Sequence, residues 1–305
     1  MKQSPALVAR LVVSAIACCL NVPAQAPLAK KTVVEVPFEF IHDSILVQAT
    51  VNGHGPFWML LDTGANPSII ELETATNAGV KLASKGQQGS GGGTGANLAY
   101  ETVLSVVQLG GLTATHVDAL GMDLSKLSSA LGRPIGGVLG YSLLKSRILQ
   151  IDYPNRKVRF YADAPSCATA PNSKCTTLRF RYTDDILATG VTVNGKRVIT
   201  NIDTGSNSKF QLSPAAINKL GLSGDVLRAH ASTSVGFNGE LQNREGTVRN
   251  VTVGTISVND PTVVFFGKGM GMDNGPWDLR IGNKFLKDFV VTLDFQHGRI
   301  TLAMP

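Results

Sequence analysis

The chain has 305 residues, 43% of them hydrophobic and 6% aromatic, with 32 glycines and a formal net charge of +6. That apolar content suffices for a substantial core, and the glycines suit an all-β protein rich in tight turns. Lys and Arg are scattered, with no run dense enough to track a phosphate backbone, which argues against nucleic-acid recognition.

In chain order, the first element predicted is a signal peptide, residues 1–26. Lys2 and Arg10 form its basic region, and Leu11 to Leu20 is an apolar core too short to span a bilayer. Ala24-Gln25-Ala26 supplies a small-x-small cleavage site, with Val22-Pro23-Ala24 as an alternative and lipidation of Cys18 as a rival processing route. The expectation is an exported protein, periplasmic or secreted, with no membrane span and a charge of about +4 once Lys2 and Arg10 are removed. A first strand is expected at Thr32 to Phe40, leaving no room for a folded inhibitory propeptide.

From there the chain reads as one unit written twice. Ile45 to Gly53 and Ile186 to Gly195 each run an apolar strand into Val-Asn-Gly, a hairpin turn signal. A second apolar strand then ends on Asp62-Thr63-Gly64-Ala65 in one half and Asp203-Thr204-Gly205-Ser206 in the other. A short helix follows: Glu71 to Gly79, and Pro214 to Leu220 between Ser213 and Gly221. Next come glycine-rich loops, Gly86 to Gly95 and the milder Ser234 to Gly239. Each half closes on an apolar-apolar-Gly segment, Val138-Leu139-Gly140 or Arg280-Ile281-Gly282, and a last strand, Ile151-Asp152-Tyr153 or Leu293-Asp294-Phe295. Asp62 and Asp203 lie 141 residues apart and Gly140 and Gly282 lie 142 apart, so the duplication carries few insertions. A period that long suits two similar lobes rather than a solenoid.

The domains expected are therefore an N-terminal lobe at 33–163, a linker at 164–176 and a C-terminal lobe at 177–305. Cys167 and Cys175 bracket the linker, and an oxidising compartment would let them pair.

Two lobes about an approximate twofold axis would bring Asp62 and Asp203 together. Carboxylates that share a site cannot both ionise cheaply, so a proton is shared between them. One then serves as general base on a water while the other polarises a carbonyl. Gly64 and Gly205 permit close backbone approach, and the hydroxyls of Thr63 and Thr204 can bond across to the opposite lobe.

These residues resemble the aspartic peptidases. Each half is similar to a retropepsin-type subunit and the whole to a pepsin-like two-lobed enzyme, over roughly Val33 to Pro305. The resemblance implies an all-β acid-protease fold: two retropepsin-like β-barrel lobes related by a pseudo-twofold axis, with a few short helices. It further implies a flap hairpin near Gly89 to Tyr100 over the cleft between the lobes, and an apolar-apolar-Gly segment packed behind each catalytic loop. Arg280 departs from that pattern, occupying a position the family gives to an apolar residue. The function implied is an aspartic endopeptidase acting on a peptide or protein substrate, with catalytic Asp62 and Asp203 and supporting Thr63, Gly64, Thr204 and Gly205. No metal or other cofactor is expected, and a monomer suffices because both carboxylates are in one chain.

Two other functions fit the duplication. One is a non-catalytic protein that holds a peptide or glycan in the same cleft, although such a protein needs neither aspartate. The other is a phosphotransferase with duplicated Asp-x-Gly-Thr turns, which lacks support without α/β alternation or an adenosine motif. The glycine-rich loops fail as phosphate cradles because no Lys-Ser/Thr follows them. The five histidines share no metal-ligand spacing, and Asp152 and Asp294 read as turn or salt-bridge residues. Met122-Asp123 and Met272-Asp273 read equally as substrate-pocket or core residues.

Overall fold

The computed structural model describes residues 33–89, 91–93, 95, 97–165, 175–267 and 275–305. The signal peptide, Cys18, Cys167, most of the predicted linker and Met272-Asp273 lie outside these residues.

The Val-Asn-Gly signals fold as anticipated. Asn52 and Gly53 have φ of 51° and 81°, and Asn194 and Gly195 have 49° and 79°. Two successive residues in the left-handed region match the twist of antiparallel strands, so strand Ser44–Val51 turns directly into His54–Leu61. Ile186–Val193 turns likewise into Lys196–Ile202.

Among the described residues of the first lobe eight strands pair in one sheet. At its centre His54–Leu61 runs parallel to Gly137–Leu139, which pairs antiparallel with Ser68–Glu71. The second lobe repeats this local pattern: Lys196–Ile202 lies parallel to Leu279–Ile281, which pairs antiparallel with Phe210–Leu212. The fold is therefore mostly β, with two equivalent lobes and a few short helices. Pro214–Leu220 has the Ser213 hydroxyl on the Ala216 amide and Gly221 in the left-handed conformation, as its sequence predicts. The helix Leu72–Asn77 is capped by Glu71.

A third set of strands joins the lobes. Ile148–Asp152 pairs antiparallel with Val290–Asp294, so that Gln150 faces Thr292. These two are equivalent positions of the duplicated unit, and the Gln150 Nε2 amide donates to Thr292 Oγ1 at 3.1 Å. The approximate twofold axis passes between them. A continuous apolar core runs from Ile45, Leu61 and Leu139 through Leu149 and Ile151 to Leu293, Ile281 and Ile202.

Two boundaries differ from the sequence reading. The expected first strand is two, Val34–Pro37 and Glu39–Ile41, which join different sheets on either side of the buried Phe38. Neither Ile151-Asp152-Tyr153 nor its counterpart closes its half. The Asp152 carboxylate accepts from the Asn155 amide, and Asp294 accepts from the His297 amide, turning each chain into one more strand: Lys157–Tyr161 and Arg299–Ala303. Cys175 opens the strand Cys175–Tyr182 and is disulfide-bonded.

Candidate active site

Each Asp-Thr-Gly turn begins where a central strand stops, and its backbone is tied at once to the apolar-apolar-Gly segment. The Asp62 amide donates to the Leu139 carbonyl at 3.1 Å, and the Asp203 amide to the Ile281 carbonyl at 3.0 Å. Gly140 and Gly282 are required there because a Cβ on either would collide with backbone carbonyl oxygen, of Ala65 or of Ser206 and Ser208.

The turns then meet. The Thr63 amide donates to Thr204 Oγ1 at 3.0 Å, and the Thr204 amide to Thr63 Oγ1 at 3.1 Å. Each hydroxyl passes its own proton on, Thr63 to the Ile202 carbonyl and Thr204 to the Leu61 carbonyl, both at 2.9 Å. Both threonines are buried, so these four bonds are shielded from water and fix the two turns in one register. Asn283 adds a further tie, its side-chain amide donating to the Asp43 and Thr204 carbonyls while its oxygen accepts from Tyr153 Oη.

On this base the carboxylates face each other. The Gly64 amide donates to Asp62 Oδ1 at 2.7 Å and the Gly205 amide to Asp203 Oδ1 at 2.8 Å. A Cβ on Gly64 would lie 2.7 Å from the carboxylate of Asp203, and one on Gly205 would collide with that of Asp62. Each glycine therefore makes room for the other lobe's acid. Both aspartates are buried, and both line a cleft of about 460 Å³ together with Gly64, Gly205, Ser206 and Phe237. Burial pushes the Asp62 carboxyl well above the usual carboxylate range, and the negative charge of Asp203 pushes it the same way, against the Gly64 amide and Arg280. Its surroundings therefore favour the protonated form of Asp62.

Four residues at the site escaped the sequence reading: Asn201, Gln211, Trp277 and Asn238. Arg280 Nε lies 3.0 Å from Asp203 Oδ2 and donates to Asn201 Oδ1, while its guanidinium sits 4.6 Å from the Trp277 ring centre. Asn238 is the tip of the hairpin formed by His230–Gly236 and Gly239–Thr247. It touches the glycine-rich loop of the other lobe: its amide donates to the Gly92 carbonyl, its carbonyl accepts from Gly95, and its Nδ2 reaches the Gly89 and Gly91 carbonyls. Both lobes therefore contribute to the roof of the cleft. Tyr100 does not line it; the ring packs beside Gly86, as an ordinary strand residue would.

The remaining candidates sort as their chemistry suggests. Met122 is core, and Asp123 accepts from the Ser125 amide. Asp152 pairs with Arg159 at 2.8 Å, and Asp294 with Arg299 at 3.0 Å. Among the described residues no group of His, Cys, Asp or Glu could hold a metal ion, and no helix is long and apolar enough to cross a membrane.

Comparison with known families also finds the chain duplicated. The model of the aspartyl protease family matches the chain twice, over residues 47–143 and 189–285. The chain belongs to the aspartyl protease family. The two matches enclose one Asp-Thr-Gly turn and one apolar-apolar-Gly segment each, so the family unit and the duplicated unit are the same. No curated protein matches the chain.

Proposed function

We propose that this aspartyl protease family member is an exported aspartic endopeptidase that hydrolyses peptide bonds with a water activated by Asp62 and Asp203. The observation that carries the reading is the juxtaposition of two buried carboxylates, braced by Thr63 and Thr204, on the floor of a cleft shared by both lobes. A water between them loses a proton to one carboxylate as its oxygen bonds to the scissile carbonyl carbon. The other carboxyl gives its proton to the carbonyl oxygen, yielding a neutral gem-diol. The first then protonates the amide nitrogen as the C–N bond breaks, and the second regains its proton from a diol hydroxyl. The dyad starts and ends with one proton between its two members.

Export rests on the basic and apolar pattern of residues 1–26, and periplasmic or secreted residence follows from it. One chain carries both aspartates, in keeping with a monomer. The substrate is a peptide or an unfolded protein strand long enough to cross the cleft.

The test is cleavage of an unfolded protein from pH 3 to 7 by the native chain, Asp62→Asn and Asp203→Asn. Each substitution removes the shared proton or the base that needs it, and is expected to lower kcat/KM by at least about 10²-fold. Activity surviving in either folded variant would sink the dyad. Peptide binding without cleavage at any pH would identify a non-catalytic binding protein instead.

A further inference from the structure

The duplication supplies an internal control for what surrounds each aspartate. Two residues before Asp62 stands Leu60, which pairs with Val138, which in turn pairs with Ile69. All three are buried in one apolar cluster beneath the first turn. The equivalent register in the second lobe pairs Asn201 with Arg280 and Arg280 with Gln211. Three neighbouring positions that are aliphatic in one copy are polar in the other.

The polar trio is organised around the charge. Placing a guanidinium where its counterpart is a fully buried valine costs desolvation, unless hydrogen bonds and an opposite charge compensate. Here Asn201 accepts from Arg280 Nε at 3.0 Å while its own amide donates to Asp185 at 3.1 Å. Buried Trp277 supplies a π-face. Gln211 bonds Ser206 and Ser208, shaping the loop after Asp203 rather than the arginine itself. The remaining partner is Asp203 Oδ2, 3.0 Å from Arg280 Nε, on the carboxylate oxygen that does not take the Gly205 amide. Among the described residues no cation of the first lobe pairs with Asp62, and the positions equivalent to Asn201 and Arg280 there are Leu60 and Val138.

We infer that Arg280 is a positioning residue that makes the dyad asymmetric, fixing the negative charge on Asp203 and leaving the proton on Asp62. On the peptidase reading, on which this rests, Asp203 is then the base that takes the proton of water and Asp62 the acid that protonates the substrate carbonyl. The other charged groups facing Asp203 are Asp62 across the axis and, further out, Asp185 beside Asn201. Lys284, His42 and Glu245 line the same cleft. A cation within hydrogen-bond reach favours the first ionisation of the pair and opposes its protonation.

The experiment compares the native chain with Arg280→Val and with the triple variant Asn201→Leu, Arg280→Val, Gln211→Ile. The triple rebuilds the first lobe's apolar trio and so keeps the site packed if the single variant does not fold. Arg280→Lys retains the charge. Two quantities are read: the titration of the carboxyl carbons of ¹³C-labelled aspartate, assigned with Asp62→Asn and Asp203→Asn, and the lower limb of the pH profile of kcat/KM. Loss of the arginine is expected to move both up by about one to three pH units, and Arg280→Lys to restore part of the difference. A folded triple variant whose carboxyl titration matches the native chain would overturn the inference. The titration needs no substrate, so a native chain that cleaves nothing would end the peptidase reading while this inference is still decided.

Discussion

The threonine hydroxyls carry more at this site than their size suggests. Each accepts an amide from the opposite lobe and donates to a carbonyl there, so Thr→Val at either position keeps the shape and strands two buried backbone groups. An unpaired buried polar group costs about 1–3 kcal/mol. Thr63→Val and Thr204→Val are therefore each expected to lose about 2–6 kcal/mol in denaturant unfolding, whereas Thr→Ser keeps most of the stability. Gly205→Ala acts differently, because its Cβ points into the Asp62 carboxylate. It is expected to abolish cleavage while a far-ultraviolet spectrum shows the fold intact. The dyad residues were legible because they occur twice in the same order. Asn201, Gln211 and Trp277 were not, because what marks the first two is a difference between the copies, visible only once strand register aligns Leu60, Val138 and Ile69 with Asn201, Arg280 and Gln211.

Among the elements, hairpins and capped helices were read well, since their signals are local: Asn-Gly in the left-handed region, Ser213 before Pro214, Gly221 after Leu220. Contacts between elements far apart in sequence carry no such signal. Nothing local in the glycine-rich loop shows what it touches, yet its glycines Gly91 and Gly93 leave space that Phe237 and Asn238 of the other lobe occupy. Asn238 Nδ2 closes this contact on two carbonyls of the loop. Asn238→Ala is expected to speed hydrogen exchange at the Gly95 amide, which donates to the Asn238 carbonyl. Unchanged exchange there would mean that the backbone bonds alone hold the tips together.

At the scale of the whole molecule, two sets of carboxyls pull its stability in opposite directions with pH. Asp152 is held below its ordinary value chiefly by Arg159 and Asn155, and Asp294 by Arg299 and His297, against the opposing effect of burial. Both sit at the turns that end the strands joining the lobes, so their charge supports the lobe–lobe sheet. A carboxyl depressed in the native state contributes stability that is complete above its unfolded value and is lost as pH falls through the folded one. Asp62 does the reverse. Its raised native value means that the folded chain holds a proton the unfolded chain has released, so stability declines as pH rises above about 4 toward that native value. The two slopes leave a stability maximum on the acid side of neutral. Thermal midpoints from pH 2 to 8 are expected to show it in the native chain. Asp62→Asn should weaken the decline on its alkaline side, to which Asp185, also raised by burial, adds a part, and Asp152→Asn with Asp294→Asn should weaken the acid side. An Asp62→Asn chain whose midpoints still fall between pH 5 and 7 as steeply as those of the native chain would mean that Asp62 is not the proton-retaining group. Because the same proton is the one proposed to reach the substrate carbonyl, this measurement links the burial of Asp62 to its chemistry without any substrate being known.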